Sequence, residues 1–169
     1  ENRNKSVLVL CPKKLNDNWI TYKSNYLNNP IAKDRLRYDV FFHSDLSRTG
    51  GKTNGQDLSY INWGNYDLVV IDESHKLKNA NTKFHQAMRG IKPHFVVGLS
   101  GTPIENSIVD LHSQFAIVNP YLLGSLSDFK KTYMKGDEIS AESREAIGRI
   151  IAPHTLRRTR NEVLGDLPQ

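Results

Sequence analysis

Two adjacent carboxylates, Asp72 and Glu73, close the apolar run Leu68-Val69-Val70-Ile71 and are followed at once by Ser74 and His75. Such a pair can divide the work of phosphoryl transfer to water. One acid holds Mg²⁺ while its neighbour orients or deprotonates the water. An unbroken apolar run of this length reads as a strand buried on both faces of a parallel sheet. Acids at the carboxyl end of such a strand lie in the crevice where open α/β sheets bind ligands. The plainer alternative is a strand that ends in a polar turn.

The elements that must position this pair can be traced along the chain. Ser6 to Cys11 reads as a strand stopped by Pro12, and the helix after it carries Leu15, Trp19, Tyr22 and Tyr26 on one face. Lys13 and Lys14 fall where strand gives way to helix, a place whose backbone N–H groups and added charge suit phosphate. Two solvated lysines are the alternative. Tyr38 to Phe42 is the next strand, leaving through His43-Ser44-Asp45. Lys76-Leu77-Lys78-Asn79 reads as a basic loop after the acid pair, and Asn81 as the cap of a helix with Phe84, Ala87, Met88 and Ile91 inward. A second apolar run, Phe95-Val96-Val97-Gly98-Leu99, ends in Ser100-Gly101-Thr102-Pro103-Ile104-Glu105-Asn106. Helices then start at Ser107, near Asp128 and at Ser140, the last ended by Pro153 before the basic stretch from Arg157.

Three other chemistries are suggested by letters and refused by spacing. Gly51-Lys52-Thr53 has the end of a P-loop, but the first glycine of G-x-x-x-x-G-K-[ST] falls on Leu46, and Asn54-Gly55 does not begin a helix. A mobile, basic, glycine-rich loop is the expectation there. Gly98-Leu99-Ser100-Gly101-Thr102 approaches the G-x-S-x-G elbow of hydrolases, with Thr102 where its last glycine belongs. His75, His85 and His94 lack zinc-ligand spacing.

Composition sets the outer limits. The 169 residues suit one domain with a substantial core. A mean hydropathy of -0.54 and a charged fraction of 24% describe a globular protein with a well-charged surface. No apolar run approaches a membrane span and no signal-peptide pattern opens the chain. The single Cys11, in an expected buried strand, is a core residue and suits a reducing compartment, bacterial cytoplasm or eukaryotic nucleus. A net charge of +5 favours polyanionic partners.

Four boxes in register give the chain a resemblance to the Swi/Snf-type DNA-dependent ATPases of helicase superfamily 2. Asp72-Glu73-Ser74-His75 is similar to their Walker B box, motif II, and Ser100-Gly101-Thr102-Pro103 with Ile104-Glu105-Asn106 to motif III. Val9-Leu10-Cys11-Pro12 with Asn18-Trp19 resembles motif Ia. Thr155-Leu156-Arg157-Arg158-Thr159 through Asp166-Leu167-Pro168 resembles the end of the first ATPase lobe. The resemblance implies an α/β fold, a RecA-like three-layer lobe with a mainly parallel sheet flanked by helices. It places the partial lobe at residues 1–152 and a segment leading towards a second lobe at 153–169.

It also implies roles. Asp72 would hold Mg²⁺ through water and Glu73 would be the catalytic base, the two forming the ATP–Mg²⁺ contact. Ser74, His75, Ser100, Gly101 and Thr102 would couple nucleotide state to DNA and lobe closure. Small hydroxyls beside the acid pair can switch hydrogen bonds when the γ-phosphate leaves. Lys13, Lys14 and Ser44 would follow the phosphates of double-stranded DNA, or of RNA. His43 and Asp45 depart from motif Ib, and Asp45 would repel a phosphate there. The expectation is a piece of an ATP-driven translocase on duplex DNA, inactive by itself for want of the P-loop. The alternative is a non-catalytic nucleic-acid- or partner-binding module that keeps the fold.

Overall fold

The computed structural model describes residues 6–23, 37–101 and 107–157. In chain order the first unit contains β1 (Val7–Cys11), α1 (Asn16–Ile20), β2 (Asp39–Phe42), β3 (Lys52–Thr53), β4 (Gln56–Asp57), β5 (Leu68–Asp72), α2 (Lys83–Ile91), β6 (Phe95–Leu99) and α3 (Ile108–Val118). Two compact units divide the chain, Glu1–Tyr121 and Leu122–Gln169.

Four strands of the first unit form one sheet in the order β2-β1-β5-β6, and every pairing is parallel. Parallel pairing brings all four strand exits to one edge, so residues separated by almost ninety positions in sequence share a rim. Side chains alternate between faces along each strand. Leu8, Leu10, Phe41, Val69 and Ile71 point to one face and are buried with Leu77, Met88 of α2 and Ile117 of α3. Val9, Cys11 and Val40 point to the other, where Leu15, Trp19 and Ile20 around α1 cover them. Val69 and Ile71 have no solvent exposure. Each such side chain contributes about 1.5–3 kcal/mol of burial, which fixes the strand that carries the acid pair.

Several expectations are revised. β5 is sealed on one face only, since Leu68 and Val70 are half-buried. β6 is more open still, with Phe95 62% exposed, because among the described residues α1 covers only the β1–β2 side of that face. The helix after Pro12 is short and Tyr22 is exposed, while Tyr26 lies outside the described residues. Thr82, not Asn81, caps α2, its hydroxyl accepting from the His85 N–H. The stretch after Glu73 is a 3-10 helix, Ser74–Lys78, anchored by the fully buried Leu77.

The glycine-rich stretch is the clearest departure. It forms an antiparallel hairpin, β3–β4, turned by Asn54 and Gly55 at positive φ. Asn-Gly is the strongest short signal for such a turn. The Asn54 amide donates to Asn16 Oδ1 at 2.8 Å and to the Val40 carbonyl at 2.9 Å, tying the hairpin to α1 and β2.

The second unit comprises α4 (Leu126–Tyr133), the hairpin strands β7 (Met134–Lys135) and β8 (Glu138–Ile139), and α5 (Ala141–Ile151). Ser125 and Ser140 cap its helices, and among its described residues Phe129 and Ile147 are buried. Among the described residues no helix is long and apolar enough to cross a membrane.

Candidate active site

The acid pair stands where β5 leaves the sheet. Asp72 is half-buried, and each of its oxygens accepts one bond. Oδ1 accepts from the Glu73 backbone N–H at 2.9 Å, and Oδ2 from the Trp19 indole N–H at 2.8 Å. Both donors are neutral, and among the described residues no lysine or arginine pairs with Asp72. The carboxylate is therefore oriented without being neutralised.

Glu73 occupies the left-handed region at φ 54°, ψ 47°. For a residue with a Cβ that conformation costs about 1–2 kcal/mol, and strain of this kind concentrates at functional sites. Its Oε2 lies 3.1 Å from His75 Nδ1, and the same nitrogen lies 3.2 Å from Ser100 Oγ on the neighbouring strand exit. One ring nitrogen carries at most one proton, so Glu73 and Ser100 compete for it. Gly98 makes this approach possible. A Cβ there would meet the buried Ser74 Cβ and Oγ at 3.0 Å, tighter than ordinary contact, so a side chain at this position would push β6 and the turn after Glu73 apart by a few tenths of an ångström.

This trio also disposes of the hydrolase reading. A serine–histidine–acid triad uses both imidazole nitrogens, one for the serine and one for the acid. Here Ser100 and Glu73 meet the same one.

The remaining site residues that the structure describes lie along the same rim. Lys13 and Lys14 are exposed in a 3-10 helix at the exit of β1. Ser44 is exposed in the 3-10 helix His43–Ser47 at the exit of β2. Gly101 has open space where a side chain would stand. Thr102 lies outside the described residues, as do Pro103 to Asn106 and Arg158 to Pro168.

Asp45 corrects its expected effect. It is fully buried, accepts from the Phe42 N–H at 2.9 Å and pairs with Arg48 at 3.0 Å. Its charge is spent inside the fold and does not face a phosphate. Beside it, His43 stacks on Phe84 with ring centroids 4.3 Å apart. Burial pushes the His43 pKa down, against a smaller upward pull from the backbone of Asp72 and Leu10.

Lys52 is an exposed residue of the β3–β4 hairpin, without the strand–turn–helix frame of a P-loop. Among the described residues no group of three or more His, Cys, Asp or Glu side chains could hold a metal. Two hard carboxylates alone suit Mg²⁺ that arrives with a nucleotide and keeps its waters, and do not suit a resident metal cage. Trp19 as the partner of Asp72, and Asn54 as the clamp on α1, escape sequence reasoning. The Asn54-Gly55 turn signal was available for the second, while nothing local marks the first.

A parallel α/β sheet with an acid pair and polar turns along its carboxyl rim is a RecA-like lobe. The chain belongs to the SNF2-related domain family, which matches it over residues 1–169. It is 39% identical over 176 residues to the uncharacterized ATP-dependent helicase MG018 of Mycoplasma genitalium, covering 96% of this chain and 16% of that protein. It is 40% identical over 108 residues to the Zorya protein ZorD of Escherichia coli O139:H28, covering 62% of this chain and 10% of that protein. Among solved structures it is similar to the Sulfolobus solfataricus SWI2/SNF2 ATPase core in complex with dsDNA. The TM-score is 0.72 at 30% identity, over 99% of this chain and 37% of that one. The chain thus spans a small part of the curated relatives it matches.

Proposed function

We propose that the chain is most of the first lobe of an ATP-driven motor on duplex DNA, its motif-bearing part at residues 1–152 and its link towards a second lobe at 153–169. The observation that carries this reading is the Asp72–Glu73 exit, where one carboxylate is oriented but left charged and its neighbour is held in a strained conformation against His75. Asp72 would hold Mg²⁺ through water. When bound, Mg²⁺ supplies charge neutralisation on the phosphate oxygens. Glu73 takes the proton of the attacking water. His75 is free to exchange its bond between Glu73 and Ser100, so loss of the γ-phosphate changes which strand exit the ring holds. Ser74, Gly101 and Thr102 complete this relay. Lys13, Lys14 and Ser44 bind the DNA backbone at the exits of β1 and β2.

The isolated 169 residues do not turn over ATP in this reading. A triphosphate needs backbone amides and a lysine to balance its charge, and the acid pair alone repels it. The deciding experiment is Glu73→Gln in the full-length protein, measured for ATP binding and phosphate release together. The amide keeps the shape and removes the base, so binding persists while turnover falls by about 10²–10⁴. Near-normal phosphate release removes Glu73 from the catalytic role.

A further inference from the structure

We infer that Trp19 is the positioning residue for the metal-holding carboxylate: its indole N–H fixes the orientation of Asp72. The inference rests on the reading of Asp72 given above. A carboxylate at a strand exit is free to rotate unless both oxygens are held. The Glu73 backbone N–H holds Oδ1, which β5 itself supplies. Among the described residues the donor to Oδ2 is Trp19, from 53 positions away.

The indole is itself held in place. Its ring meets Tyr38 edge-on, at 6.1 Å between centroids and 87° between planes. The Tyr38 hydroxyl donates to the Trp19 carbonyl. At the other end of α1, Asn16 accepts from Asn54, whose amide also reaches the Val40 carbonyl. Leu15 and Ile20 pack on Val9, Cys11 and Val40. A helix of five residues has little stability of its own, yet this one is clamped at both ends and against the sheet. Packing alone would be satisfied by phenylalanine. What tryptophan adds is one directed neutral donor, which turns the carboxylate without cancelling its charge. A lysine in its place would neutralise Asp72 and compete with the cation.

The test uses the full-length protein with ADP, and Mn²⁺ binding followed by electron paramagnetic resonance as a readout separate from turnover. Trp19→Phe keeps the aromatic packing and removes the donor. Loss of a partner that orients a directly ligating side chain weakens metal binding by about tenfold to a hundredfold, and for a carboxylate acting through water a loss at the lower end, about tenfold, is expected with nucleotide-free DNA affinity unchanged. Benzothienylalanine at position 19 keeps the two-ring shape without N–H, and is expected to show the same loss. It covers the case in which phenylalanine disturbs the fold. Asp72→Asn weakens Mn²⁺ binding by itself, and Trp19→Phe added to it produces no further loss. If Asp72→Asn leaves Mn²⁺ binding unchanged, the reading of Asp72 fails. If Asp72→Asn weakens it and benzothienylalanine does not, the assignment of Trp19 is overturned.

Discussion

The exits of β2 and β5 are built alike. Each strand passes into a five-residue 3-10 helix, His43–Ser47 or Ser74–Lys78, and each exit carries an aspartate whose two oxygens each accept one bond. The donors differ. Asp45 receives a backbone N–H and the Arg48 guanidinium, and it has no exposure to solvent. Asp72 receives a backbone N–H and an indole N–H, both neutral, and remains partly exposed. Equal numbers of hydrogen bonds thus leave one acid cancelled and the other available to an outside cation. Burial and the charge of the partner, more than the presence of an acid at a strand exit, separate a structural carboxylate from one that can do chemistry.

The strongest way to break this comparison is to remove each charge in turn. In the full-length protein, Asp72→Asn is expected to lower turnover by about 10²–10⁴, a barrier increase of about 3–5 kcal/mol, and to lower stability by only about 1 kcal/mol, because the amide nitrogen meets one of the two N–H donors. Asp45→Ala does the reverse. It frees the Phe42 N–H and the Arg48 guanidinium, costing about 2 kcal/mol of stability. Because Arg48 is nearly half exposed, most of that cost comes from the lost cap. Turnover per folded molecule stays near normal. Equal damage to turnover from both substitutions would erase the distinction.

Acid sharpens the comparison from the other side. Burial is the largest influence on both His43 and His85, and it lowers each pKa below the ordinary histidine value of 6.5. The folded protein favours the neutral form of both rings, whereas the unfolded chain takes up protons as pH falls through that value. Their contribution to stability is complete above the ordinary value and declines as pH drops through it towards the lower, folded pKa. Urea midpoints measured from about pH 7.5 down to about pH 5.5 should therefore fall. His43→Phe keeps the stack on Phe84 and should flatten that decline, because the group that titrates beside the β2 exit is gone. An unchanged decline would assign the effect to His85 or to groups elsewhere.

Much of this was legible in the residues. The apolar runs ending at Asp72 and Leu99 are parallel strands, Ser107 and Ser140 cap helices, and among the described residues Pro12, the Asp72–His75 box and Ser100 stand at one rim, because parallel pairing brings the exits of β1, β5 and β6 together. What was not legible depended on distance. The sequence places Asp45 one residue from Ser44 but cannot show that the fold turns it inward to Arg48 and the Phe42 N–H. Trp19 reads as an ordinary core aromatic, since helical periodicity reports which face is apolar and not where one N–H points. The β3–β4 hairpin is a different case. Its Asn54-Gly55 turn signal is visible, yet the stretch reads as a mobile loop, because strands of two residues are too short to show alternation.

The smallest expected effect concerns the strain at Glu73. Its φ of 54° suits glycine, so Glu73→Gly relieves about 1–2 kcal/mol. Glycine also gives the unfolded chain more freedom, which takes back about 0.5–1 kcal/mol. The net expectation is a gain in stability of at most about 1.5 kcal/mol, alongside loss of turnover if Glu73 is the base as proposed. Glu73→Ala is the control, since it removes the same carboxylate and its His75 contact while keeping the Cβ. Alanine should therefore be the less stable of the two by about 1 kcal/mol, read as a difference in urea midpoint. A glycine variant no more stable than alanine would mean that the turn carries no strain at this position. The contrast between the two exits would then rest on charge alone.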